Sequence, residues 1–574
     1  MKRSNFCELI TPFESSAMTW QSEYPRPQLV RDSYLPLGTD WQLSVKSGSV
    51  TESLGAINMP FVPESRLSGI KRSLGKVEKW LYTCKFSLPD GFNVGRVILH
   101  FGAVDQIADV TLNGRKIGTH GGGYLPFSFD VTEYLLDSEN TLSVEVRDEL
   151  DTDIPYGKQK RKRGGMWYTP VSGIWQTVWL ESVPENYISS LRITPTLDTV
   201  TIETCGGAQL KTITVETPDG MITKNYSGDS VTLNIENPRH WSPEKPYLYR
   251  FTLTDGSDTV RSYFALRTVT IEKVGGREYI CLNGKPYFFH GLLDQGYYSD
   301  GIFLPSSPDG YLFDILKMKS LGFNMLRKHI KIEPELFYYY CDLHGMVVFQ
   351  DMVNSGKYNF LIDTALPTIG LKRGIKHTAS KRRREIFEKS CEETLNQLYN
   401  HPCVCYYTVF NEGWGQYDAD RIYTELKRHD PTRVYDATSG WFFEKESDVS
   451  SEHVYFKKID LGESKRPLVL SEFGGYSCRV VGHVYNLEKS YGYCTMADCN
   501  ELDSSLRALY FDEVIPMISR GLCAAVLTQV SDIEDEINGL VTYDRQVVKV
   551  ESDTMNEIKA AIDTAFANEL DKKG

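Results

Sequence analysis

No run of apolar residues in this 574-residue chain approaches the roughly 18 that a membrane-crossing helix needs, so none is expected. The basic start, Met1-Lys2-Arg3, lacks an apolar stretch of signal-peptide length, and cytoplasmic residence is the expectation. The 12 cysteines include no Cys-x-x-Cys pair, and no cysteine–histidine spacing gathers four zinc ligands. Reduced, buried thiols are expected, with Cys403 and Cys405 on one strand face. Positive charge is in deficit: 63 basic against 76 acidic residues leave a net −13, which disfavours broad attraction to nucleic acid. There is no low-complexity linker and no tandem repeat.

What remains is an ordinary globular composition, 41% hydrophobic and 24% charged, long enough for about three or four domains. Aromatic residues, 12% of the chain, suit both β-structure and surfaces that stack against ligands. Three textures follow one another. Residues 1–183 carry short alternating runs such as Gly95–Phe101, Ala108–Leu112 and Thr141–Val146, with Asn113-Gly114 as a hairpin turn. They read as an antiparallel, jelly-roll-like β-sandwich. Residues 184–270, with Leu191–Thr194, Thr212–Val215, Val231–Ile235 and Tyr249–Leu253, read as a smaller Ig-like sandwich. Residues 271–574 alternate short apolar runs with helical patterns, among them Glu333–His344 and Lys381–Tyr399, and predict a parallel (β/α)8 TIM barrel. Two basic clusters stand out. Lys381–Arg384 reads as a solvated helix face. Lys158, Lys160, Arg161, Lys162 and Arg163 lie in a Gly-rich loop, where assembly or substrate contact is an open role.

Barrel chemistry sits where strands end in their following loops. Two carboxylates meet that condition. Glu412 ends Tyr406–Glu412 before Gly-Trp-Gly, and Glu472 ends Leu468–Glu472 before Phe-Gly-Gly. Either alone could be a salt-bridge partner. Two in equivalent positions suit glycoside hydrolysis, one protonating the leaving oxygen and the other attacking the anomeric carbon or activating water. Their separation, and so the stereochemical outcome, is not legible in the sequence.

Together with Leu112–Gly118, Gly121–Thr132, Ser172-Gly-Ile-Trp175, Trp241–Tyr247, Asn411-Glu412 and Ser471-Glu472-Phe473-Gly474, this layout resembles glycoside hydrolase family 2, the β-galactosidases, β-glucuronidases and β-mannosidases. The resemblance covers nearly the whole chain. It implies an exo-acting retaining glycosidase with Glu412 as acid/base on strand four and Glu472 as nucleophile on strand seven. It implies Asn411 on the sugar 2-hydroxyl, Arg327 supporting the nucleophile, and His453 and Tyr455 from strand six. Trp414 and Trp441 are candidate sugar platforms, or else partial core packing. His329 stands one residue before the position of a family histidine, occupied by Ile330. Trp167 falls where a sandwich-loop aspartate would reach the site, and Gln529 and Asp532 where strand eight would contact sugar. The family's magnesium-ligand positions fall at Ser355 and Lys357, so no metal and no cofactor is expected. The glucuronide-binding Asn-x-Lys is missing near Asn538-Gly-Leu540, leaving Lys328 or Arg163 as compensating cations. The expected partner is a carbohydrate, a glycoside or oligosaccharide, with no nucleic acid and no membrane. Homo-oligomers are common in the family. A terminal β-linked sugar, galactose first, is the expectation. Alternatives are β-mannosidase, β-glucuronidase or galacturonidase, and α-L-arabinosidase activity, and, outside enzymes, a non-catalytic carbohydrate-binding protein.

Overall fold

The computed structural model describes residues 6–368 and 378–572. The basic start read from Met1-Lys2-Arg3 lies outside them. Among the described residues no helix is long and apolar enough to cross a membrane.

The first block forms a six-stranded and a four-stranded antiparallel sheet. Alternation decides which face is buried. In Trp41–Ser47 the residues Trp41, Leu43 and Val45 point inward, and in Asn140–Arg147 Leu142, Val144 and Val146 do the same. They share one core with Trp80 and Tyr82. The hairpin joining Ile107–Leu112 to Arg115–Gly121 turns at Asn113-Gly114, both at positive φ (52° and 77°), as the sequence predicts. The second block packs a three-stranded sheet against a four-stranded one around its own core, which includes Ile202, Val215, Tyr249 and Phe264. The strand Val269–Val274 spans the join expected near residue 270.

Eight parallel strands follow: β1 Phe289–Asp294, β2 Met325–Lys328, β3 Val347–Asp351, β4 Val404–Asn411, β5 Val434–Ser439, β6 Ser450–Val454, β7 Leu468–Gly474 and β8 Leu522–Thr528. Their order is β5-β4-β3-β2-β1-β8-β7-β6, a nearly closed TIM barrel. Strands β4, β7 and β8 are buried on both faces, which is why they read as continuous apolar runs rather than alternating ones. Helix Glu335–His344 stops at Gly345, whose φ of 69° is the left-handed cap that glycine adopts without penalty. Helix Lys381–Leu398 starts at Ser380, whose side chain accepts the Arg383 N–H at 3.0 Å.

The reading of Lys381–Arg384 as a solvated face holds for exposed Lys381 and Arg382 and is corrected for Arg383, which is buried. Arg382 pairs with Asp151 and Asp153 of the first sandwich, Arg384 pairs with Asp418, and Arg383 donates to the Gly415 carbonyl. Cations at a helix start are disfavoured by the helix dipole. Here they are offset by acids from two neighbouring loops, and they clamp the sandwich to the barrel.

Candidate active site

Arg327, near the C-terminal end of β2 and only 1% exposed, is the hub of the barrel mouth. It holds Asp351, at the end of β3, through two parallel bonds of 3.0 and 3.1 Å. It donates to Glu472 Oε1 on β7 at 3.0 Å and to the Ser471 carbonyl at 2.9 Å. It also donates to Asn411 Oδ1 at 2.8 Å and to Ser439 Oγ at 3.0 Å. Burial opposes its charge, but Asp351 and Glu472 outweigh burial and raise its pKa. Four strand ends are thereby tied to one guanidinium, whose planar fork suits such multiple contacts.

Burial would push the Glu472 carboxyl up. Its neighbours His453 and Arg327, with the Tyr455 hydroxyl donating at 2.6 Å, instead hold it well below the usual carboxylate range. Tyr455 also meets Thr528 Oγ1 at 2.8 Å and is stacked on Tyr493 with ring centroids 3.8 Å apart. Glu412 follows β4 with φ 49°, a left-handed conformation that turns its side chain over the mouth. The flanking glycines fit this sharp exit: Gly413 and Gly415 have φ 64° and 68°, and a Cβ at Gly415 would collide with the Ser355 carbonyl. His453 Nδ1 lies 3.0 Å from Glu412 Oε1 and 3.5 Å from Glu472 Oε2, and its Nε2 lies 3.4 Å from Arg327 Nη1. Ligand-type atoms of Glu412, His453 and Glu472 all lie within 4.8 Å of one another. These three are the groups among the described residues that could hold a cation, and each already serves another of the three.

The predicted residues Glu412, Glu472, Asn411, Arg327, His453 and Tyr455 therefore converge. His329 joins them, with Nδ1 at 2.9 Å from Asp351 and 3.9 Å from Glu472 Oε1. Trp441 stands edge-on to His453 at 6.0 Å and is partly exposed beside the mouth. Trp167, from the first sandwich, packs against Tyr358 and Trp414 at the rim. Three expectations are corrected. Trp414 is not a sugar platform: its ring is 3% exposed, enclosed by Tyr156, Trp167 and Tyr358, and its indole N–H is given to the Gly356 carbonyl at 3.0 Å. Gln529 is fully buried, accepting from Gln295 at 3.1 Å and donating to Asn538 at 2.8 Å, so its amide is spent inside the protein. Asp532 holds the buried Lys549 ammonium at 2.6 Å and the Gly539 N–H at 2.9 Å. Asp532→Asn should therefore destabilise the fold by about 3 kcal/mol, because it strands a buried ammonium. Denaturant titration checks this, and an Asp532→Asn enzyme of wild-type stability with a raised KM would restore the sugar-contact role.

Lys328 and Arg163 are not available as compensating cations. Lys328 is held by Asp294 and Glu333, and Arg163 by Glu534 and Asp535. Sequence reasoning missed Asp351, Ser439 and Tyr493. Asp351 and Ser439 end buried strands, as the two glutamates do, and that position is a signal both carry. Tyr493 comes from a long loop with no pattern to mark it.

Fold and site define a class: a barrel with a close carboxylate pair at its C-terminal mouth, preceded by two β-sandwiches. Residues 46–174 match the glycosyl hydrolase 2 galactose-binding domain-like family, 186–267 the glycosyl hydrolases family 2, and 273–476 its TIM barrel domain. The chain belongs to glycoside hydrolase family 2. A β-galactosidase of Thermoanaerobacter pseudethanolicus is 26% identical over 383 residues, 61% of this chain and 48% of that protein. A β-galactosidase of Aeromonas hydrophila is 26% identical over 454 residues, 69% of this chain and 42% of that protein. The chain thus spans less than half the length of these curated relatives. Among solved structures, a β-D-glucuronidase from Dictyoglomus thermophilum superposes with a TM-score of 0.73 at 17% identity, covering 94% of this chain and 98% of that one. A β-galacturonidase from Eisenbergiella tayi superposes with a TM-score of 0.67 at 17% identity, covering 92% and 97%.

Proposed function

We propose that the protein is an exo-acting, retaining glycosidase that removes one terminal, β-linked sugar from a glycoside or oligosaccharide. The observation that carries this reading is the approach of the two carboxylates, with oxygens of Glu412 and Glu472 within 4.8 Å. Retaining glycosidases hold their carboxyl groups about 5–5.5 Å apart, whereas inverting ones leave about 6.5–9.5 Å for a water. Glu472, kept ionised by Arg327 and Tyr455, attacks the anomeric carbon while Glu412 gives its proton to the glycosidic oxygen. A glycosyl ester forms on Glu472 and the aglycone leaves. Glu412 then takes a proton from water, which attacks the same carbon and frees Glu472. Asn411 spends its amide oxygen on Arg327 and Ser439, so its NH2 is left to donate to the sugar 2-hydroxyl. The three expected units, 1–183, 184–270 and 271–574, would act as one catalytic body. Twelve unpaired cysteines support a cytoplasmic location.

A panel of nitrophenyl glycosides tests the proposal. One sugar should be released with its anomeric configuration retained, followed by NMR. If wild type and Glu472→Gln were equally inert on every sugar while still binding one, the protein would be a carbohydrate-binding module. Exhaustive EDTA treatment should leave rates unchanged, since proton transfer and nucleophilic attack are both supplied by side chains. A large loss restored by magnesium would overturn the metal-free mechanism.

A further inference from the structure

A loop of the first sandwich brings Lys158, which the mechanism does not use, to the rim of the barrel mouth. Gly157 has φ 66°, and a Cβ there would lie 3.0 Å from the Ile330 carbonyl and 2.6 Å from the Tyr124 hydroxyl. The loop therefore abuts the residue that follows His329. On its other side, the Lys158 carbonyl accepts the Tyr168 N–H at 3.0 Å, and the Tyr168 hydroxyl donates to Glu536 at 2.6 Å. Lys158 is thus bracketed between the His329 and Glu536 sides of the site. After burial, its charge is the next largest influence on each: it disfavours protonation of His329 and eases ionisation of Glu536.

Two polar groups here lack partners. Among the described residues the partly buried Lys158 ammonium makes no hydrogen bond, ion pair or ring contact. The other cations around the mouth are spent: Arg327 on Asp351 and Glu472, Lys328 on Asp294 and Glu333, Lys331 on Glu333, and Arg163 on Glu534 and Asp535. His329 Nε2 is buried without a partner, and because Nδ1–H faces Asp351, Nε2 presents a lone pair. An unpaired ammonium whose charge acts on His329, together with the free acceptor on that ring, is complementary to a sugar carrying an anion and a hydroxyl. A neutral sugar would offer that ammonium only a weaker, uncharged acceptor.

We propose that Lys158 is a specificity-determining residue that binds an anionic substituent of the glycon, a uronic carboxylate or a sulfate ester, while His329 Nε2 accepts from a neighbouring hydroxyl. The proposal rests on the glycosidase reading and adds the charge class of its substrate.

The test compares nitrophenyl β-glucuronide, β-galacturonide and 6-sulfo-β-galactoside with their neutral parents. Wild type should favour at least one charged substrate by about tenfold or more in kcat/KM, and which one identifies the anion. Lys158→Met should cut that preference about 10- to 100-fold, chiefly through KM, while Lys158→Arg keeps most of it. The proposal fails if wild type favours the neutral parents, or if Lys158→Met lowers charged and neutral substrates equally. Should wild type hydrolyse nothing, the glycosidase reading fails separately. Calorimetric titration with glucuronate, galacturonate and galactose 6-sulfate against galactose then decides on Lys158. Anion-selective binding abolished in Lys158→Met supports it, and binding indifferent to charge or to the substitution overturns it.

Discussion

Glu472→Gly should lower kcat on the order of 10⁴-fold or more, because it removes the proposed nucleophile on which the glycosyl ester forms. The variant should still fold. Arg327 keeps both bonds to Asp351, at 3.0 and 3.1 Å, so its guanidinium is not stranded when Glu472 goes. Removing the side chain opens a space against the anomeric carbon. Azide can occupy that space and attack from the nucleophile's side, with Glu412 still able to protonate the leaving oxygen. The expected product is a glycosyl azide of inverted configuration. The matching variant, Glu412→Gly, should differ in kind: its glycosyl ester forms from substrates with good leaving groups, accumulates, and is released by azide with retained configuration. Product NMR on both variants reads the assignment directly. A retained azide from Glu472→Gly would exchange the two roles, and loss of the wild-type circular dichroism would make the rate loss one of folding.

The two carboxylates were legible because barrel topology places strand ends at one mouth, and an acid ending a buried run is conspicuous; the division of roles between them came only from the family resemblance. Glu412 and Glu472 have that signature, and so, less visibly, do Asp351 and Ser439. Spacing along the chain could not give the gap between carboxylates, because that gap depends on strands β4 and β7 meeting across the barrel. The misplaced residues share a cause. Trp414, Gln529 and Asp532 all lie just past strand ends, where either solvent or protein can be the partner. Trp414 faces rings from the sandwich, and Asp532 faces Lys549, 17 positions further on. Such partners come from distant sequence and leave no local pattern. Lys158 is the converse case. It was visible in a basic cluster, but only the fold separates it from Arg163, which Glu534 and Asp535 consume.

Arg327→Met carries the second large effect, an expected loss of about 10²- to 10³-fold in kcat/KM together with a changed pH profile. Methionine fills much of the volume but leaves Asp351 and Glu472 facing each other without the intervening charge. Glu472 is 4% exposed, and burial is the largest influence on it, acting to raise its pKa. In the wild type, its neighbours His453 and Arg327 reverse that effect. With the guanidinium gone the balance moves back toward the neutral acid, and a protonated carboxyl is no nucleophile. The acid limb of kcat/KM should therefore move to higher pH in the variant. The stability consequence has the same sign. A carboxylate with a depressed folded-state pKa stabilises the fold above its unfolded value, about 4.3, and loses that contribution as pH falls through the folded value. Arg327→Met should forfeit this contribution at neutral pH and so flatten the acid side of the stability curve. Arg327→Lys should recover part of the acid-limb shift through its charge but little of the rate, because a point charge cannot hold Asp351, Glu472 and Asn411 at once. The decisive measurement is the pH dependence of kcat/KM in the three proteins. A rate loss with an unmoved acid limb would reduce Arg327 to a strut for the strand ends and leave the ionisation of Glu472 to His453 and Tyr455.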